Sequence, residues 1–303
     1  MRRRSVVGLG LAAIVVAGAG ACESARNSIA APDGGLTMFG VPDLEGMPDL
    51  VVDAAKLASS WVITDEYLSP NLCSVQEGDV PPGNRRLIRF TVTTPNIGDA
   101  DVAIGDPRTH IDPNGDGDYS DSDGLYELDG CHGHFHFRNY AVYEMLPVNP
   151  DGSLGASVKA RKRGFCMIDT TPYQSEGGPP KQKVYYSCGT PTRAGNQGIS
   201  VGYADTYVKQ LGGQYFVLDD PAEPVPPGKY LLRITVNPGF TPAAGEPCPV
   251  LNPATGKCHN FAESNYANNV GQITVTVPDR TGKTGGSMKT AVDLIDDENR
   301  PAH

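Results

Sequence analysis

The chain has 303 residues, of which 20% are charged, and a net charge of −10. That length fits one large domain or two small ones. A strong negative field with no basic patch excludes a nucleic-acid-binding role and is compatible with simple solubility or with a cationic ligand.

The N-terminus opens with Arg2, Arg3 and Arg4, followed by an apolar run over residues 6–19 that is too short to span a bilayer comfortably. Ala-Gly-Ala then precedes Cys22. Residues 1–21 read as a secretory signal peptide. The small residues before Cys22 also resemble a bacterial lipobox, in which Cys22 becomes lipid-modified and is the new N-terminus, although Ala19 stands where Leu is more usual. Ordinary cleavage nearby would instead leave Cys22 as an odd thiol. Either way export is expected, with a membrane-anchored or a secreted product, and loss of the three Arg takes the net charge to −13. Six cysteines remain: Cys73, Cys131, Cys166, Cys188, Cys248 and Cys258. An even number in an oxidising compartment suggests three disulfides. Cys248 and Cys258 flank a short Pro/Gly loop and are expected to pair.

Residues 22–45 are rich in Ala, Gly, Ser and Asp and read as a tether. A domain is expected over residues 46–278 and a loose polar tail over 279–303. The 36 Gly and 26 Pro disfavour long helices. Short runs at 87–94, 140–146, 183–186, 215–218, 230–236 and 272–277 carry the β-branched and aromatic residues favoured in strands. Residues 53–61 fit a helix or a strand equally. The pattern is mainly β, an antiparallel β-sandwich with an immunoglobulin-like frame and long loops that carry the site. No internal repeat is visible.

Residues 112–123 read Asp-Pro-Asn-Gly-Asp-Gly-Asp-Tyr-Ser-Asp-Ser-Asp. Asp112, Asn114, Asp116, Asp118 and Ser120 fall where an EF-hand loop has oxygen ligands, and Asp123 stands where a Glu is usual. The loop resembles the dockerin type. It is a calcium site or a solvated acidic turn.

Three of the six His lie in Cys131-His-Gly-His-Phe-His136. On a strand, His132, His134 and His136 would share one face, with the outer pair roughly 13 Å apart. A metal about 2 Å from each nitrogen requires the rings to lean inward, and Gly133 would help the backbone bend. Neutral imidazoles suit copper, zinc, iron or nickel, and copper(II) binds most tightly at equal availability. The spacing alone fixes no function.

The order of markers along the chain is more specific. Pro48-Asp-Leu-Val, Asn96-Ile-Gly-Asp-Ala-Asp101, the His cluster, Lys162-Arg-Gly-Phe-Cys166 with Asp169, Asp205-Thr-Tyr207, Pro227-Gly228 with Tyr230, Val236-Asn-Pro238 and Glu263-Ser-Asn-Tyr-Ala-Asn-Asn-Val270 follow in turn. Over residues 48–278 this series resembles the lysyl oxidase catalytic domain. The resemblance implies copper on His132, His134 and His136. It also implies a lysyl tyrosylquinone built from the protein's own Lys162 and Tyr207, with Lys159 as the alternative lysine. The implied reaction is oxidative deamination of a primary amine, of protein lysine or a small molecule, with dioxygen consumed and an aldehyde, ammonia and hydrogen peroxide released. A carboxylate would suit the proton-abstracting base, and Asp205 is a candidate from its place beside Tyr207.

The same resemblance implies a calcium site joining the two ends of the domain. Its matching positions are Asp49, Leu50 (carbonyl), Glu263, Asn265, Asn268 and Asn269; the alternative is Asn side chains capping turns. It further implies a Cys131–Cys188 disulfide, which leaves Cys73 with Cys166. Animal members carry Asp where Asn265 stands and a further His where Val142 stands. A rival reading keeps the β frame without the chemistry. Pro-Asp-Leu-Val-Val, Asn96-Ile-Gly and Glu263-Ser-Asn recur in adhesion-type surface modules, and a non-catalytic copper-binding protein would also need no Lys162 or Tyr207.

Overall fold

A computed structural model describes residues 46–285 apart from 79, 161, 163, 174–181, 244–245, 281 and 283. The signal segment, Cys22, the tether and most of the tail lie outside the described residues. The chain is mainly β, and every strand pairing is antiparallel.

The largest sheet runs, in spatial order, Val270–Val277, Gly228–Val236, Ala141–Pro147 and Val158–Lys159. Its second strand alternates strictly: Tyr230, Leu232, Ile234 and Val236 are buried, and the residues between them are not. A period of two sends alternate side chains to opposite faces, so one face joins the core. Val62–Leu68, Gly83–Arg89 and Tyr215–Val217 form a second sheet, and Thr171–Pro172, Tyr203–Tyr207 and Val92–Pro95 a third. The fourth joins Tyr126–Leu128, Phe135–Arg138 and Gly164–Phe165.

Residues 53–61 resolve into a helix, Ala54–Ser59, because the Asp53 carboxylate accepts the Lys56 N–H at 2.8 Å and caps it. The strand expected at 183–186 does not form. The Asp169 carboxylate accepts the N–H groups of both Val184 and Tyr185, which removes them from any ladder.

An aromatic cluster fills the core beneath the fourth sheet. The Phe165 ring meets Tyr140 at 5.3 Å, Tyr143 at 5.8 Å and Tyr207 at 5.2 Å, each near edge-to-face. Such pairs contribute about 0.5–1.5 kcal/mol each beyond burial, so Tyr207 is held by packing as well as by its strand.

Two of the expected disulfides are corrected. The bonds are Cys73–Cys131, Cys166–Cys188 and Cys248–Cys258, not Cys131–Cys188 and Cys73–Cys166. The short helix Cys73–Gln76 brings Cys73 to 5.6 Å (Cα–Cα) from Cys131. Gln197 draws the other pair together: its amide oxygen accepts the Met167 N–H, and its amide nitrogen donates to the Cys188 carbonyl. That side chain pins both segments before the sulfurs meet at a Cα–Cα distance of 5.4 Å.

Candidate active site

The three histidines do not share one extended strand. Only His136 lies within Phe135–Arg138; His132 sits in a turn and His134 just before the strand. Gly133 adopts φ +72°, a conformation that side-chain-bearing residues rarely take. This bend converts an extended spacing into a cluster. Ring centroids are 5.5 Å (His132 to His134), 5.6 Å (His132 to His136) and 4.8 Å (His134 to His136) apart.

Asp129 organises the turn, and sequence reasoning missed it. Its Oδ1 accepts the N–H groups of Cys131 and His132, and its backbone carbonyl accepts the Gly133 N–H. Its Oδ2 lies 2.8 Å from His132 Nδ1 and 3.1 Å from His136 Nδ1. Burial works against the carboxylate, but the hydrogen bonds from the His132 ring and backbone outweigh it and hold Asp129 well below the usual range. The hydrogen bond to Asp129 in turn raises His132 above its ordinary value. Burial, helped by the charge on His132, lowers His134 to about 4. Burial and then the Lys162 ammonium lower His136 to about 3. Those two rings are therefore neutral at neutral pH, the protonation state in which imidazole ligates a metal.

One observation fits a cation here. His134 Nε2 and His136 Nε2 face each other at 3.0 Å, about the separation of two donors bound near 2.0–2.1 Å from one ion at close to a right angle. The three-imidazole donor set suits copper or zinc.

Lys162 is half-buried, outside any strand. Its ammonium lies 5.1 Å from the centre of the Tyr207 ring and 5.2 Å from that of Phe165. It lines a cleft of about 250 Å³ with His132, His136, Asp129, Gly164 and Gly213, and Glu77 and Glu127 stand in the same wall. Gly164 is there by necessity: a Cβ on it would lie 1.9 Å from His136 Nδ1. Lys159 is exposed on Val158–Lys159 and lines a second hollow, of about 320 Å³, together with Val142, Tyr143 and Lys162.

Tyr207 ends the strand Tyr203–Tyr207, and its hydroxyl donates to the Cys166 carbonyl at 2.8 Å. Asp205, two residues earlier, shares its face. Burial pushes the Asp205 carboxyl well above its ordinary value, while the Tyr207 hydroxyl and the Lys162 ammonium pull it back. Its Oδ2 has no hydrogen-bond partner. Burial, then the Asp205 charge, push the Tyr207 phenol upward as well. Lys162 thus stands between the cleft that His132 and His136 line and the buried Tyr207 ring.

The other expected ligand sets differ from it. At the domain junction, Glu263 Oε2 accepts the Leu50 N–H at 2.6 Å, and Oε1 accepts from Asn237 at 2.7 Å and Asn269 at 2.8 Å. Asp49 accepts from Asn268 Nδ2 at 3.0 Å, and the Oδ1 atoms of Asn268 and Asn269 are buried without partners. Asn265 caps the Ala267 N–H. In the acidic loop, Asp112 accepts three backbone N–H groups, from Gly115, Asp116 and Gly117. Asn114, Asp116 and Asp118 each accept the N–H two residues on. Asp123 turns away, to His110 Nδ1 at 2.6 Å, and Ser120 donates its backbone N–H to Asp118.

Comparison with known proteins places this site in context. A family model described as lysyl oxidase matches residues 48–246. The chain is 27% identical to human (Homo sapiens) lysyl oxidase homolog 2 over 263 residues, which cover 82% of this chain and 27% of that protein. It is 29% identical to human lysyl oxidase homolog 4 over 223 residues, or 70% of this chain and 25% of the relative. It is 30% identical to lysyl oxidase homolog 4 of Mus musculus over 209 residues, or 66% and 23%. The aligned part amounts to about a quarter of these curated relatives.

Proposed function

This chain belongs to the lysyl oxidase family, and from that premise we propose that it oxidises primary amines to aldehydes, with copper bound by His132, His134 and His136 and with Lys162 and Tyr207 as the source of a built-in quinone. The observation that carries the reading is the Lys162 ammonium, 5.1 Å from the Tyr207 ring in a cleft whose wall bears His132 and His136. Copper would supply the oxidation that a phenol needs before a lysine amine can add to it, and the resulting lysyl tyrosylquinone would supply the carbonyl on which substrate amines are oxidised.

The chain's own groups have separable tasks. The strand and the Cys166 carbonyl orient Tyr207. Asp205 is the base: its buried Oδ2 has no hydrogen-bond partner among the described residues, and burial raises its proton affinity above that of an ordinary carboxylate. Glu77 and Glu127 give the cleft a negative wall that draws in a cationic amine. Both protein lysine and small amines present that group.

Calcium at the domain junction is part of the same proposal. The orphaned Asn268 and Asn269 oxygens beside Asp49 and Glu263 support it, since hard cations take oxygen ligands. Three disulfides favour an exported protein, and anchoring through a lipid on Cys22 is proposed with it. Among the described residues no helix is long and apolar enough to cross a membrane.

The test is a mass-spectrometric peptide map of protein loaded with copper in air. A covalent link between the Lys162 and Tyr207 peptides is expected. Copper-loaded protein in which both peptides run free and unmodified would sink the quinone and leave a metal-binding surface module.

A further inference from the structure

The geometry points to Asp129 as the positioning residue of the metal centre: one carboxylate that holds two of the three histidines in the tautomer and orientation a metal requires. This rests on the copper reading above. An ionised carboxylate only accepts hydrogen bonds. Oδ2 of Asp129 accepts from His132 Nδ1 at 2.8 Å, so that atom carries the proton, and it stands 3.1 Å from His136 Nδ1, where its negative charge favours a proton on that nitrogen over a lone pair. A neutral ring with a proton on Nδ1 has its lone pair on Nε2. In both rings Nε2 is then the ligating atom, and His136 Nε2 already faces His134 Nε2 at 3.0 Å.

The two oxygens divide the work. Oδ1 accepts the Cys131 and His132 backbone N–H groups and shapes the turn, while Oδ2 serves the two rings. The Asp129 side chain is 7% exposed, so the protein groups around it occupy most of its hydrogen-bonding surface. Among the described residues nothing comparable serves His134, whose Nδ1 is buried without a partner. The arrangement is therefore asymmetric, with two rings fixed from behind and the third placed by backbone and packing. Outer partners of this kind typically change metal affinity about 10–100-fold.

Asp129→Asn separates the two tasks. An amide oxygen in place of Oδ1 still accepts from the turn, while an NH₂ in place of Oδ2 cannot accept from either ring. We expect wild-type protein to bind one copper(II). We expect the variant to keep its thermal midpoint within a few degrees, to lose copper affinity about 10–100-fold in a chelator competition, and to show altered nitrogen couplings in its copper EPR spectrum. A turn-capping role alone would leave affinity and spectrum unchanged. An independent measurement needs no variant: in wild-type protein loaded with diamagnetic zinc, ¹⁵N shifts of His132 and His136 should report protonated Nδ1 and metal-bound Nε2. Metal on Nδ1 of either ring overturns the assignment, as does an Asp129→Asn protein with wild-type affinity and spectrum. The latter leaves the copper reading standing. Wild-type protein that takes up no copper overturns both.

Discussion

Two segments just before and at the fourth sheet have the composition of metal sites, and they behave differently. In the acidic loop at 112–123, Asp112, Asn114, Asp116 and Asp118 direct their oxygens to neighbouring N–H groups, and Asp123 is tied to His110. In the turn at 129–136, one residue, Asp129, meets the local backbone's needs. The three imidazoles converge, and one nitrogen, His134 Nδ1, is buried without a partner among the described residues. Ligand-type residues at a plausible spacing are common to both. What separates them is whether the side-chain atoms are already engaged by their own backbone.

The contrast can be broken at several points. The largest effect is expected from His136→Ala, which should lower copper affinity by more than the about 100-fold of an outer-shell change and abolish peroxide release with amines. Asp112→Asn with Asp116→Asn should leave both unchanged. Next is Gly164→Ala, whose methyl would sit 1.9 Å from His136 Nδ1 and push the ring off Asp129. A loss of copper affinity of about tenfold or more is expected, whereas Gly130→Ala, in the turn beside Asp129 but facing open space, should match wild type. Equilibrium competition against a chelator reads both.

A third test moves to the junction. Burial raises Glu263 from 4.5 to about 7, so the fold favours its protonated form. The contribution is full below pH 4.5, is lost as pH rises from about 4.5 to about 7, and is constant above that, on the order of 3 kcal/mol across the window. In chelator-treated protein the melting temperature of wild type should fall relative to Glu263→Gln across that window. Millimolar calcium should reverse the fall if the junction takes the ion, and a flat difference would show that the carboxylate is not strained. The smallest effect is expected from Asp116→Asn in the exposed loop. A surface change of this kind should shift melting by less than about 2 °C and leave any calcium-dependent rise intact.

The sequence carried the mainly β character, because alternation in segments such as 230–236 is a direct image of one buried face. It also singled out the His, Lys and Tyr residues of the proposed site, through the order of markers rather than through any local pattern. It did not carry their convergence. The outer histidines would lie far apart on a strand, and only the positive φ of Gly133 folds them together. Asp129 was legible in principle: an Asp followed by Gly, three residues before a His, is a turn-capping signal. The disulfide partners of Cys73 and Cys188 depended on where a four-residue helix and the Gln197 side chain bring distant segments. The failed strand at 183–186 has the same origin, since its competitor for hydrogen bonds, Asp169, lies fourteen to seventeen positions earlier.

The lysine and tyrosine differ in how firmly each is mounted, and that decides which would have to travel to form the proposed link. Tyr207 is a fixed post: it ends a strand paired on both sides, is wedged against Phe165 and is hydrogen-bonded at its tip. Lys162 is a crane arm, four methylenes long and rooted outside any strand, with its head 5.1 Å from the ring centre. Side-chain rotations on the nanosecond scale can sweep such an arm across a gap of that size. Joining the two therefore asks for reach on one side and immobility on the other, with no sheet to open and no strand to re-register.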